Sequence, residues 1–302
     1  MTGRPLTTLE LGDRTLSLDP AAPALMGILN ASPESFSDGR ALPEVDAQVE
    51  HGLRLAAEGA AIVDVGGESG VTDRHPISPD EETERVVPVV ERLAGAGVTV
   101  SVDTWKEAVA RAALGAGASM VNDASALREP GVAAACAEHR AALVVTHTRA
   151  APKVKAFPAY GDVVTDVLEL LAERVRTAER LGVAREQIVV DPGLDLAKTP
   201  AQSVELVRRL GELRRLGRPV LLAASRKDFV GALTGRPPAA RLGGTLAAVA
   251  AGADAGAAIL RVHDVAAVAD FLAVRAALRA GARVDADLHL PLELRRERAR
   301  AA

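Results

Sequence analysis

Short apolar runs alternate with longer stretches of helical period along most of this chain. The runs are ALMGILN (24–30), AAIVDVGGES (60–69), VTVSVD (98–103), SMVND (119–123), AALVVTH (141–147), QIVVD (187–191), PVLLAAS (219–225) and GAAILRVH (256–263). Each is bounded by Gly, Pro or a polar residue, the pattern of a parallel strand buried on both faces. The stretches of helical period cover roughly 44–58, 80–93, 106–116, 131–138, 162–181, 201–216, 242–253 and 265–278. Eight strands alternating with eight helices predict an α/β fold, a single-domain (β/α)8 TIM barrel. The competing architecture, a doubly wound open sheet, would place a Gly-x-Gly-x-x-Gly turn after its first strand, and GILNASPESFSDG is not that turn. The Pro- and Gly-rich stretches 66–79, 149–161 and 235–241 read as loops after strands. The barrel is therefore expected over 1–280, and 281–302, which loses periodicity, as an exposed C-terminal tail.

Composition narrows the function classes. With 48% hydrophobic and 25% charged residues the chain reads as an ordinary soluble globular protein. Its 36 basic and 40 acidic residues leave a net charge of −4, which argues against a nucleic-acid or membrane surface. Four Phe, one Trp and one Tyr are too few for a surface that stacks bases, and they imply a core of Ala, Val and Leu. Phe36, Trp105 and Phe229 fall just after the first, third and seventh strands, which places them at the expected active-site mouth. The single cysteine, Cys136, excludes an intrachain disulfide and a Cys-based zinc site. No apolar run is long enough to span a bilayer, and MTGRPLTTLELGDRTL lacks a signal-peptide core, so a cytoplasmic location is expected.

In a barrel, the residues ending the strands converge on one face, which carries the active site. Here that face gathers Asn30, Asp64, Glu68, Asp103, Asn122, His147, Asp191, Ser225, Lys227, Arg261 and His263. One polar residue at a strand end is a routine turn former or cap. Polar residues at essentially every strand end suit a pocket for a polar, nitrogen-rich ligand. Alternation places Arg261 and His263 on the same face of the last strand.

The motifs GILNASPESFSDG, DVGGES, SVDTWK, GASMVNDASAL, VDPGLDLAKT, AASRKDFVGALTG and ILRVHDV fall in order over about residues 24–275. In this the chain resembles the dihydropteroate synthases of the pterin-binding barrel family. The resemblance implies condensation of 7,8-dihydropterin-6-methyl diphosphate with p-aminobenzoate, release of pyrophosphate, and Mg²⁺ on the diphosphate. It implies that Asn30 contacts the metal, and that Asp103, Asn122 and Asp191, with Asp64 beside them, recognise the pterin. A carboxylate can accept both hydrogens of the pterin's guanidine-like edge, and an amide can serve a donor and an acceptor together. By the same resemblance Phe36 lines the aminobenzoate site from a loop, and Lys227 lies between the two substrates. Ser225 and the start of the next helix match the site of the aminobenzoate carboxylate. Arg261 and His263 match the pair that holds the diphosphate. The family carries no nucleophile–base pair; catalysis is positioning plus stabilisation of the departing diphosphate. A homodimer joined through barrel helices is also implied.

The chain departs from the family at the acceptor side. Gly70 and Val71 stand where the family has Thr-Arg, with Arg74 as a candidate replacement. Asp195 and Leu196 stand in the family's Gly-Phe, and Thr146-His147-Thr148 replaces Met-His-Met. The competing reading is therefore a pterin-binding paralogue with weak or no synthase activity, or with a different acceptor. A folate-binding methyltransferase barrel is a third reading, against which Ser-Arg-Lys and Arg-Val-His argue.

Overall fold

A computed structural model describes residues 7–19, 21–31, 44–70, 75–291 and 294–295. Its barrel strands are β3 (Ala24–Asn30), β4 (Ile62–Gly66), β5 (Val100–Asp103), β6 (Met120–Asp123), β7 (Ala142–Thr146), β8 (Ile188–Asp191), β9 (Leu221–Leu222) and β10 (Ile259–Val262). All pair in parallel, in the order β8-β7-β6-β5-β4-β3-β10-β9. A parallel bridge between Val190 and Val220 joins the two ends and closes the ring. Around it lie α1 (Val45–Ala57), α2 (Pro79–Gly95), α3 (Glu107–Gly115), α4 (Gly131–Glu138), α5 (Val163–Arg180), α6 (Pro200–Arg208), α7 (Asp228–Thr234), α8 (Leu242–Ala255) and α9 (Val265–Ala277). The TIM-barrel expectation is met.

Strand alternation sorts the side chains into two layers. Val63, Val65, Val100, Val102, Val121, Leu143, Val145, Ile188, Val190, Leu222, Leu260 and Val262 face outward and pack with the helices. Met26, Ile62, Met120, Val144, Val189, Leu221 and Ile259 face inward and fill the barrel. The positions two residues further along several of these strands share the inward face, and they are Asp64, Asn122, Asp191 and Arg261. The apolar plug and the polar mouth are thus one face read at two heights.

Three elements differ from the sequence expectation. A hairpin of β1 (Thr8–Leu11) and β2 (Arg14–Ser17) precedes the barrel, turning at Gly12–Asp13 with Gly12 in the left-handed region. Its Leu9 and Leu11, together with Leu18, join the inward cluster with Met26 and Ile62. The stretch 201–216 is not one helix. The α6 helix, capped by Thr199 and Gln202, stops at Arg208, and a 3-10 helix runs Leu210–Leu216 past the helix-weakening Gly211. The short α7, which ends on a left-handed Gly235, lies between β9 and α8.

Candidate active site

A single charge network spans the mouth. The Nε of Arg261 on β10 donates to Asp64 Oδ2 on β4 at 2.6 Å, and its Nη2 donates to Asp103 Oδ2 on β5 at 2.6 Å. The amide of Asn122 on β6 donates to the same Asp64 oxygen at 3.0 Å. Asp64 is fully enclosed, and its Oδ1 has no hydrogen-bond partner among the described residues. Burial pushes the Asp103 carboxyl up to about 7; Arg261 pulls it down, while the charges of Asp64 and Glu82 add to the rise.

Asp191 ends β8 and is buried. Its Oδ1 accepts the Gly193 N–H at 2.6 Å. Burial raises its carboxyl above the usual range, against that hydrogen bond and the nearby charges of Lys227, Lys198 and Arg261. Gly193 is obligatory, because φ is +66° and a Cβ there would overlap the His147 carbonyl oxygen. Lys227 stands in the field of Asp103, Asp191 and His263.

Ser225 Oγ lies 3.0 Å from His263 Nδ1 and accepts the His263 backbone N–H at 3.2 Å. Burial and the charges of Arg226, Arg261 and Lys227 hold the His263 ring down to about 3, so it is neutral at physiological pH. The segment between is pinned. Arg226, at φ +57°, sends its guanidinium to Asp264 at 3.1 and 2.6 Å. Its N–H donates to Thr245 Oγ1 at 3.0 Å and its carbonyl accepts from Arg241 at 2.8 Å.

The structure brings Asp64, Asp103, Asn122 and Arg261 into direct contact, and pairs Ser225 with His263. The Arg261 guanidinium rests on two of the carboxylates expected to read the pterin, and the Ser225 hydroxyl rests on a residue expected to hold the diphosphate. Asn30 ends β3, between β4 and β10. Phe36, Val71 and Arg74 lie outside the described residues. Phe229 does not line the mouth: only 5% exposed, it packs in the apolar layer between strands and helices. Trp105 is half-buried, with the Lys106 ammonium 5.3 Å from its ring centroid.

Three lysines at this end, Lys198, Lys106 and Lys153, were not anticipated. Lys198 is 1% exposed and donates to the carbonyls of His147, Gly193 and Leu196 at 3.2, 2.9 and 2.9 Å. Burial lowers its amine to about 7. Lys106 joins Glu68 at 2.7 Å and Glu82 at 2.6 Å, and Lys153 reaches Glu68 at 3.1 Å. His147 is buried against Asp166 at 2.8 Å and is held neutral. The rarity of lysine, five in the chain, was the available signal: Lys155 alone is exposed, and the other four are buried or half-buried.

A family model described as pterin binding enzyme matches residues 26–263. Dihydropteroate synthase of Synechocystis sp. is 40% identical over 84% of this chain and 89% of its own length. Dihydropteroate synthase of Xanthomonas albilineans, solved with 4-aminobenzoic acid, superposes with a TM-score of 0.83 at 44% identity, over 91% of this chain and 98% of its own. The same protein solved with 7,8-dihydropteroate gives 0.80 at 44% identity, over 90% and 99%.

Proposed function

The chain belongs to the pterin-binding enzyme family, and on that premise we propose how its barrel mouth carries out the dihydropteroate synthase reaction. The protein acts as a transferase of folate biosynthesis, joining 7,8-dihydropterin-6-methyl diphosphate to p-aminobenzoate with release of pyrophosphate. The observation that carries the assignment of roles is the polar layer at the mouth. A fully buried carboxylate oxygen, Asp64 Oδ1, lacks a partner among the described residues, beside Asn122 and the Asp103 carboxylate. Burying such an acceptor unpaired is costly, and a ligand rich in N–H donors removes that cost.

Asp64, Asp103, Asn122 and Asp191 bind the pterin edge. Arg261, already between the carboxylates, and Lys227 supply cations where the diphosphate and the acceptor meet. His263, neutral and held by Ser225, offers a ring N–H without adding charge. Catalysis needs no proton-abstracting dyad: the amine of p-aminobenzoate attacks the methylene carbon, the carbon–oxygen bond to the diphosphate breaks, the pyrophosphate leaves as a stabilised anion, and the proton shed by the amine passes to water or to the departing pyrophosphate. Phe36 and the loop that carries it are assigned to the acceptor by the resemblance.

Mg²⁺ fits as a metal that arrives with its substrate. Among the described residues no three His, Cys, Asp or Glu cluster to hold an ion. The residue that would hold it is Asn30, whose amide oxygen is a hard donor suited to Mg²⁺. Bound there, Mg²⁺ would supply charge neutralisation for the leaving group. A homodimer through the outer helices belongs to the same proposal, since Val274 on α9 and Leu278 at its C-cap are exposed. No helix among the described residues is long and apolar enough to cross a membrane.

The test is pyrophosphate release from the dihydropterin diphosphate with Mg²⁺, with and without p-aminobenzoate, beside calorimetric pterin binding by Asp191→Ala. Aminobenzoate-dependent turnover and loss of pterin binding in the variant are expected. Absence of that turnover overturns the acceptor, and retained affinity in the variant overturns the pocket.

A further inference from the structure

Asp195 is a carboxylate for which the pterin pocket has no use. It stands in the loop after β8 at φ +63°, a backbone conformation that glycine takes freely and aspartate takes at a cost. Such strain persists where surrounding contacts over-determine it. Here the contacts are explicit. The Ser203 hydroxyl donates to Asp195 Oδ1 at 3.0 Å and accepts the Asp195 N–H at 3.0 Å. The other oxygen, Oδ2, accepts the backbone N–H of Asp228 at 2.5 Å and of Phe229 at 3.3 Å.

Those two amides begin α7, and the residue that caps α7 is Lys227, whose own side chain makes no cap. The cap comes instead from the neighbouring βα loop, the one that follows β8. On the other side of Lys227, Arg226 is fixed through its N–H, its carbonyl and its guanidinium. Lys227 is therefore suspended between two anchors, one upstream on Arg226 and one downstream on Asp195. The α7 helix spans only Asp228–Thr234 and contains Gly231, so it has little stability of its own to hold that second anchor. The side chain of Lys227 is long, and the direction of its ammonium follows from where its Cα is fixed.

We propose that Asp195, held by Ser203, is a positioning residue that fixes the start of α7 and so aims Lys227 at the substrates. The proposal rests on the reading that Lys227 faces the substrates, and its test has one readout that needs no turnover. Asp195→Gly removes the carboxylate and also relieves the backbone strain, so a loss of function cannot come from φ. The expected result is a fall in kcat of about tenfold, with calorimetric affinity for the dihydropterin diphosphate and KM for p-aminobenzoate little changed. Acylation of Lys227, measured by mass spectrometry against the exposed Lys155, is expected to rise about threefold or more as the segment loosens. Asp195→Asn, whose amide oxygen can accept the same N–H groups, restores most of kcat. Ser203→Ala gives the same pattern more weakly and serves if Asp195→Gly does not fold. Unchanged labelling of Lys227 in Asp195→Gly and Ser203→Ala overturns the proposal. So does a lowered KM for p-aminobenzoate at constant kcat, because the carboxylate would then be competing with the acceptor's anion. A wild type without aminobenzoate-dependent turnover overturns the proposed function, while the labelling still decides the role of Asp195.

Discussion

Removing the Arg261 guanidinium tests whether the polar layer stands as one network. Arg261 donates to Asp64 and Asp103 at 2.6 Å each. The Asp64 side chain is fully enclosed and that of Asp103 is 27% exposed, so water replaces little of what Arg261 supplies. Arg261→Met keeps an apolar stem and deletes the charge. Breaking a buried pair from one side costs about 3–5 kcal/mol, against about 0–1 kcal/mol for an exposed pair. The sign of the pH dependence follows from Asp103, already pushed up to about 7 against the pull of Arg261. Without Arg261 it rises further. A carboxyl raised above its unfolded value of about 3.9 lowers stability as pH climbs from the unfolded to the folded pKa. Wild type and variant share that penalty up to the wild-type value and diverge above it. The deficit of the variant is therefore larger at about pH 9 than at about pH 5. Urea denaturation at both pH values measures it. A deficit below about 1 kcal/mol at the higher pH, or an equal deficit at both, refutes the network. The double variant R261M/D64N, with both charges gone, is expected to recover much of the stability but not the pterin binding.

His263, held down to about 3 by burial and three cationic neighbours, should show no ring titration by NMR between about pH 5 and 8. Because its folded pKa is depressed, its contribution to stability is present above about 6.5 and is lost as pH falls towards the folded value; a midpoint near 6.5 would contradict the buried, neutral ring. Sedimentation velocity should show a dimer that Leu278→Glu, at the C-cap of α9, dissociates, since Leu278 is 79% exposed in the single chain. A wild-type monomer at all concentrations would remove the homodimer.

The barrel and the membership of its mouth were legible for the same reason. Period-2 alternation decides at once that Ile62 and Asp64 look inward and Val63 and Val65 outward, so one pattern gives core and site together. What alternation cannot give is pairing across the ring. Arg261 and Asp64 are 197 positions apart, and a shared face does not say which carboxylate the guanidinium takes. The hairpin was readable in TLELGDRTLSL, where leucines alternate on both sides of Gly-Asp, but strands of four residues are short beside the barrel's pattern. The loop after β8 was least legible. Left-handed conformations there fall on Asp195 and Ala197, residues that do not announce a positive φ as glycine does.

Lysine usage joins these observations. Arginine supplies nearly all the basic residues of this chain, and two of its five lysines sit where arginine's planar fork does not serve. At Lys198 three carbonyl oxygens surround one nitrogen within 3.2 Å, a geometry an ammonium satisfies from a point and a guanidinium does not. Lys106 likewise meets two carboxylates and the Ile77 carbonyl with one nitrogen. Both tie βα loops to one another, Lys198 around Gly193 and Lys106 beneath the Glu68 loop. The mouth is thus shaped by buried ammonium groups acting on backbone and carboxylate oxygens. Lys227 stands apart from these two lysines: its neighbours in the chain are held by Asp264, Thr245 and Asp195, and its charge acts on Asp103 and Asp191.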